Sequence, residues 1–232
     1  TSSSNSVTID AEKGQTANVT LDNVNIDASD TGKAAVSTKG VVNIELDGDN
    51  TLTGGEGHAA LEKWSNAHNN VADPNYKLLI TDDKNDDGTA KTGTGSDTTG
   101  SLTATGGTGG AGIGGTEKSS GGYANNITIT GGTISGNTSG NSKGGGVCAG
   151  NKLTVSGAPC ITGNLGKDGA ANNVYLGRRE TIHVGGALES GASIGVTTAD
   201  PVIDGSYVRV ADGTGLAADT TSYFTSDAYP GC

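Results

Sequence analysis

Few stretches of this chain carry side chains that could do chemistry, and the sharpest is Asp83-Lys-Asn85-Asp-Asp87-Gly88. Oxygen-bearing side chains at alternate positions followed by Gly match the first half of an EF-hand-type Ca²⁺ loop, in which the Gly makes the sharp turn. Where such a loop places a bidentate Glu, this chain has Thr94, and no helical pattern flanks the segment. Asp83, Asn85 and Asp87 are therefore candidate Ca²⁺ ligands of a non-EF site, with Asp82 or Asp97 as further donors. The alternative is a solvated acidic turn. Ca²⁺ is the one cofactor that the sequence suggests.

Trp64 and Tyr76 are the next candidates. An aromatic ring with a polar rim is a platform for the apolar face of a sugar, and the chain has a single Trp. Either the two rings bind glycan or they plug an open corner of the fold. The cysteines are Cys148, Cys160 and Cys232, with no CxxC and no Cys/His cluster. Cys148 and Cys160 either form a bridge or stay as thiols, and the odd count leaves Cys232 as a candidate interchain thiol.

No enzyme is expected. His58, His68 and His183 fall in different contexts, Arg178 and Arg179 share one turn while Arg209 is distant, and GxSxG, HExxH and P-loop motifs are absent. The acidic balance, a formal net charge of -11, argues against nucleic acid and anionic membrane, because phosphate contacts need clustered Lys and Arg. No apolar run is long enough to cross a membrane. The start, Thr1-Ser-Ser-Ser-Asn5, reads as a processed terminus or an excised domain.

The elements that must position these residues follow from repetition. Gly is abundant at 41 residues, whereas there are one Trp, one Phe and no Met. Val, Ile, Leu and Phe make up roughly a sixth of the chain, a level at which disorder has to be considered. Against disorder stand recurring alternating triplets: Val19-Thr-Leu21, Val42-Asn-Ile44, Leu78-Leu-Ile80, Ile127-Thr-Ile129, Leu153-Thr-Val155 and Ile182-His-Val184. A second strand follows each after a tight turn, such as Val24-Asn-Ile26 or Thr133-Ile-Ser135. A third follows a Gly- and Ala-rich turn, such as Gly146-Val-Cys148.

Three strands and a return make one turn of a right-handed parallel β-helix, an all-β solenoid with rungs of about 20–30 residues. A core one side chain wide has no room for Trp or Phe, and Gly serves corners where chain packs on chain. Leu21, Ile26, Ile44, Ile129, Ile134, Val155, Ile161 and Val184 are expected to point inward. The coil is expected over 18–213, with insertions at 64–76, 82–100 and 116–125, between an N-terminal segment 1–17 and a C-terminal segment or cap 214–232. Tyr207-Val-Arg-Val210 keeps the strand alternation.

Ser101-Leu-Thr-Ala-Thr-Gly-Gly107, Ala111-Gly-Ile-Gly-Gly115 and Ile127-Thr-Ile-Thr-Gly-Gly-Thr-Ile-Ser-Gly-Asn137 resemble the repeats of clostridial cell-surface β-helix proteins, which are adhesin-like. Asn172-Asn-Val-Tyr-Leu176 and Ser222-Tyr-Phe-Thr-Ser-Asp227 are similar to segments of the same group. The first half also resembles a carbohydrate-binding β-helix family whose members bind acidic sugars and Ca²⁺. The resemblance implies a secreted or cell-surface module that is structural or adhesive, with carbohydrate binding as the alternative and a degraded polysaccharide lyase as a third reading. Expected partners are glycans and other copies or neighbouring domains of the same surface protein, joined end to end.

Overall fold

In triplets such as Ile127-Thr-Ile129 the pleat sends both Ile side chains to one side, and the shortness of each run forces the chain to turn and lay the next rung alongside. The computed structural model describes residues 5–64, 75–82, 100–115, 125–139, 143–149, 153–200, 207–217 and 220–228. These form a parallel β-helix.

The first turn is Val7–Asp10 (β1), Thr16–Asp22 (β2) and Asn25–Asp27 (β3). The second is Val36–Lys39 (β4), Val41–Asp47 (β5) and Asp49–Thr53 (β6). Leu61–Lys63 (β7), Lys77–Thr81 (β8) and Ser101–Thr105 (β9) follow, then Ile113–Gly114 (β10), Ile127–Ile129 (β11) and Thr133–Ile134 (β12). The fifth turn is Val147–Cys148 (β13), Leu153–Gly157 (β14) and Cys160–Ile161 (β15). The sixth is Val174–Leu176 (β16), Ile182–Leu188 (β17) and Ser193–Thr198 (β18). Ala211–Asp212 (β19), a 3-10 turn at Thr220–Tyr223 and Phe224–Ser226 (β20) complete the chain.

Every third strand stacks. Face one runs from β1 to β16, face two from β2 to β19 and face three from β3 to β18, each in parallel register. At the sixth turn the corner between faces three and one disappears. Strand β18 pairs with β15 through Ser193 and Ile194 and with β16 through Val196 to Thr198, so two faces run into one strand.

The core is a set of rows. On face two, Val19, Ile44, Ile80, Ile129, Val155 and Val184 occupy successive register positions. On face three, Leu102, Ile134, Ile161, Ile194 and Phe224 do the same. All eight residues expected to point inward are buried in one continuous cluster. Ile44, Ile129 and Ile134 have no exposed surface.

Two boundaries differ from the sequence reading. The coil begins before residue 18, because β1 already pairs with β4 at Val7↔Val36. Tyr207–Val210 forms no strand and Tyr207 is fully exposed; only Val210 reaches the neighbouring rung, packing partly on the core and accepting from Ile182 N–H, and the strand is the next pair, Ala211–Asp212. The C-terminal segment does extend the coil, with Phe224 in the inward row beside Ile194 and packed on the core.

Candidate functional site

The corner between faces one and two, over the first three turns, brings charged and aromatic side chains together around a cleft. Three chain passages stack there: Asp10–Gln15, Lys39–Gly40, and the pair of ends Trp64 and Asn75–Lys77. Backbone bonds tie them together, from Ala11 N–H to Lys39 O (2.9 Å), from Trp64 N–H to Thr38 O (2.9 Å) and from Lys77 N–H to Gly40 O (3.0 Å). Gly40 makes the stacking tight. Its φ is +82° and a Cβ there would lie 2.3 Å from Ala11 O, so no side chain fits.

The outcome is a cleft of about 580 Å³ lined by Asp10, Ala11, Glu12, Lys13, Lys39, Gly40, Asn75 and Tyr76. Asp10 and Lys39 are register partners on adjacent rungs, and Lys39 Nζ donates to Asp10 Oδ2 at 2.8 Å. That bond and the Asp10 charge raise the Lys39 pKa, with the Tyr76 ring hydroxyl adding in the same direction. Trp64 stands against Tyr76 with ring centroids 5.3 Å apart and planes tilted by 53°. Trp64 keeps 39% of its surface exposed. The side of the cleft is thus aromatic, and its rim holds two carboxylates and two ammonium groups.

The two aromatic candidates from the sequence are therefore brought together. Their four charged neighbours were not foreseen, although the signal was present: β1 and β4 are one rung apart, which aligns Asp10 with Lys39. Asp83, Asn85 and Asp87 lie outside the described residues, as does Cys232. The base of their loop is described, with Asp82 Oδ1 accepting from Gly100 N–H at 3.1 Å.

The bridge between Cys148 and Cys160 is absent, and both are free thiols. Cys148 sits on face one opposite Tyr175, and Cys160 on face three opposite Thr133 and Ser193. Twelve residues of sequence separate them, but that distance carries the chain around two corners, by way of β14 on face two, onto another side of the coil. Burial pushes the Cys148 thiol up to about 12, which leaves it protonated and unreactive.

Two His–carboxylate pairs occur elsewhere. His58 Nδ1 lies 2.7 Å from Glu62 Oε2, and burial raises the Glu62 pKa against the lowering effect of that bond. His183 Nδ1 lies 2.9 Å from Asp212 Oδ1, and hydrogen bonds from Thr181 and His183 hold Asp212 below the usual carboxylate range. Glu62 is also the register partner of Ser37, but among the described residues the ring contacts of His58 and His183 are with these carboxylates and not with a Ser or Cys, so neither pair makes a triad. Among the described residues no group of three or more His, Cys, Asp or Glu side chains could hold a metal ion.

Sequence reasoning also missed a chain of buried amides at the corner between faces three and one. Asn137 Nδ2 donates to Asn164 Oδ1, Asn164 Nδ2 to Asn173 Oδ1 at 2.9 Å, and Asn173 Nδ2 to Asp227 Oδ1 at 2.6 Å. Asp227 Oδ2 also accepts from Asn173 N–H (2.7 Å) and Thr197 Oγ1 (2.8 Å). The row passes close to Gly195, where a Cβ would come within 2.2 Å of Asn173 Nδ2. No family model, curated protein or solved structure matches this chain.

Proposed function

We propose that this chain is a non-catalytic, adhesive β-solenoid module of a bacterial surface protein, working outside the cell, and that it holds carbohydrate in the corner cleft. The observation that carries the reading is the Trp64–Tyr76 pair beside a charged cleft of about 580 Å³. That volume suits a small ligand or a short stretch of a chain ligand. Tilted rings offer apolar surface to the C–H face of a pyranose, and Asp10, Glu12, Lys13 and Lys39 offer charge-assisted bonds to its hydroxyls. The similarity of Ser101–Gly107 and Ile127–Asn137 to surface-protein repeats supports the extracellular placement.

Neutral glycans fit better than polyanions. The rim carries two acids and two bases, and a net charge of -11 repels an acidic polymer at long range. Catalysis is disfavoured by the same residues. Asp10 is committed to Lys39, and both Asp10 and Glu12 are exposed, whereas a general acid working near neutral pH needs burial or a like-charge neighbour. Ca²⁺ bound by Asp83, Asn85 and Asp87 is a separate proposal, resting on the alternating oxygen donors and the turn Gly.

A glycan array tests the function. Saturable binding to a subset of neutral glycans is expected for the native chain, with loss of signal in Trp64→Ala and Tyr76→Ala. An array without specific signal, or with signal unchanged in both variants, overturns the carbohydrate reading.

A further inference from the structure

The two ends of the coil are unlike. Strands β1, β2 and β3 form a complete first turn, and β2 and β3 are terminal in their sheets. Of the nine hydrophobic residues only partly buried against the core, five, Ile9, Ala11, Ala17, Val19 and Val24, belong to this turn, and Leu188, Val210, Ala211 and Phe224 belong to the other end. Strand β2 is seven residues long and contains neither Lys nor Pro, the residues that usually keep an edge from pairing. At the other end the face-two edge is only Ala211–Asp212. The chain then folds back on β17, with Gly215 N–H donating to Val184 O at 2.9 Å. A head-to-tail stack would therefore set a seven-residue edge against an interrupted one.

We infer that the first turn is the interface of a two-fold homodimer in which β2 pairs antiparallel with β2 of a second copy about Val19. The sequence of β2, Thr16-Ala-Asn-Val-Thr-Leu-Asp22, is self-complementary in that register. Val19 meets Val19, and Ala17 meets Leu21, so inward positions meet inward positions and the two cores join. Asn18 meets Thr20, and Thr16 meets Asp22, so no like charges face each other across the pair. The same axis sets β3 of one copy over β1 of the other, with Ile26 and Ile9 on the core side. Such an interface is isologous and closes at two copies, which distinguishes it from a filament. The two corner clefts then stand at opposite ends of the joined face two, about 23 Å of strand apart, so a polymeric ligand could engage both.

Sedimentation of the full chain over a range of concentrations tests this, using charge changes at the exposed Thr16. The native chain should associate to a dimer and no further. Thr16→Asp sets a carboxylate opposite Asp22 twice and should weaken association about ten-fold, whereas Thr16→Lys should tighten it. Thr16→Asp combined with Asp22→Lys should restore it. Circular dichroism establishes that each variant keeps its strands. A monomer throughout, growth beyond dimers, or equal effects of Asp and Lys at position 16 would each overturn the proposal.

Discussion

The early and late turns of the coil keep their rungs in register by different means. Strands β2 and β5 run side by side over seven residue pairs, from Thr16↔Val41 to Asp22↔Asp47, and this long backbone ladder defines the alignment, with one exposed side-chain bond from Asn43 to Asn18 beside it. On face three of the later turns the pairing shrinks to Thr133↔Cys160 and Ile134↔Ile161. Two residues cannot hold a register. There the buried row from Asn137 through Asn164 and Asn173 to Asp227 spans the next corner and supplies it. Long strands leave the outside of the coil free to carry charged side chains, so the cleft arises in the early turns. The late turns link their buried polar groups into one continuous row, whereas the early turns bury separate ones such as Asn50, which donates to Leu21 O.

The largest expected effect separates these two devices. Asn164→Ala removes acceptance from Asn137 N–H and donation to Ile134 O and Asn173, all buried. Each orphaned group costs about 1–3 kcal/mol, so denaturant unfolding should show a loss of roughly 3–6 kcal/mol. Asn43→Ala deletes a cross-rung amide bond too, from Asn43 Nδ2 to Asn18 Oδ1 at 2.8 Å, but a solvent-facing one. It should stay within about 0.5 kcal/mol of native. Equal losses would end the distinction between the two halves.

Next in size is Ile129→Ala. The rows above and below cannot close over a missing side chain when the backbones on three sides are tied to each other, so a loss of about 2–5 kcal/mol is expected. Asp227→Asn sharpens the account of the amide row. It keeps the shape but sets an NH₂ where one of the two carboxylate oxygens accepts from Asn173 and Thr197. The loss of charge-assisted bonds should cost about 1–3 kcal/mol and should loosen β20 first, read as faster amide exchange at Phe224–Ser226.

The smallest effect is a pH dependence in the early turns. Burial raises the Glu62 pKa in the folded chain, so the folded state holds this proton more tightly than the unfolded one. Its contribution is full below the unfolded pKa and is lost as pH rises through the folded value. Glu62→Gln abolishes that dependence, and the variant should gain stability relative to native as pH rises through the folded pKa. A constant difference across that range would remove burial of the charge as the cause.

Much of the fold was legible because a narrow solenoid core writes itself into the sequence as alternation, and rows such as Ile129 over Ile80 follow once the rungs are aligned. Strand β1 was missed because Val7-Thr-Ile9 sits in a polar stretch and has no paired triplet before it. The amide row was hidden by the ordinary use of Asn in turns: Asn137, Asn164 and Asn173 look like corner residues until their burial is seen. The cleft was half legible. Trp64 and Tyr76 stood out as rare residues at the two ends of one insertion, and a loop returning to its own corner brings its ends together. Asp10 and Lys39 are 29 residues apart and meet only through the rung register.

Because Trp64 is the only Trp, its fluorescence reports on the cleft alone. Titration of the native chain with a neutral oligosaccharide selected on the array should give a saturable change in Trp64 emission, and Lys39→Ala should weaken it while leaving the unfolding midpoint unmoved. Binding detected by calorimetry with no change in that emission would place the ligand elsewhere on the coil and contradict the assignment of the corner cleft.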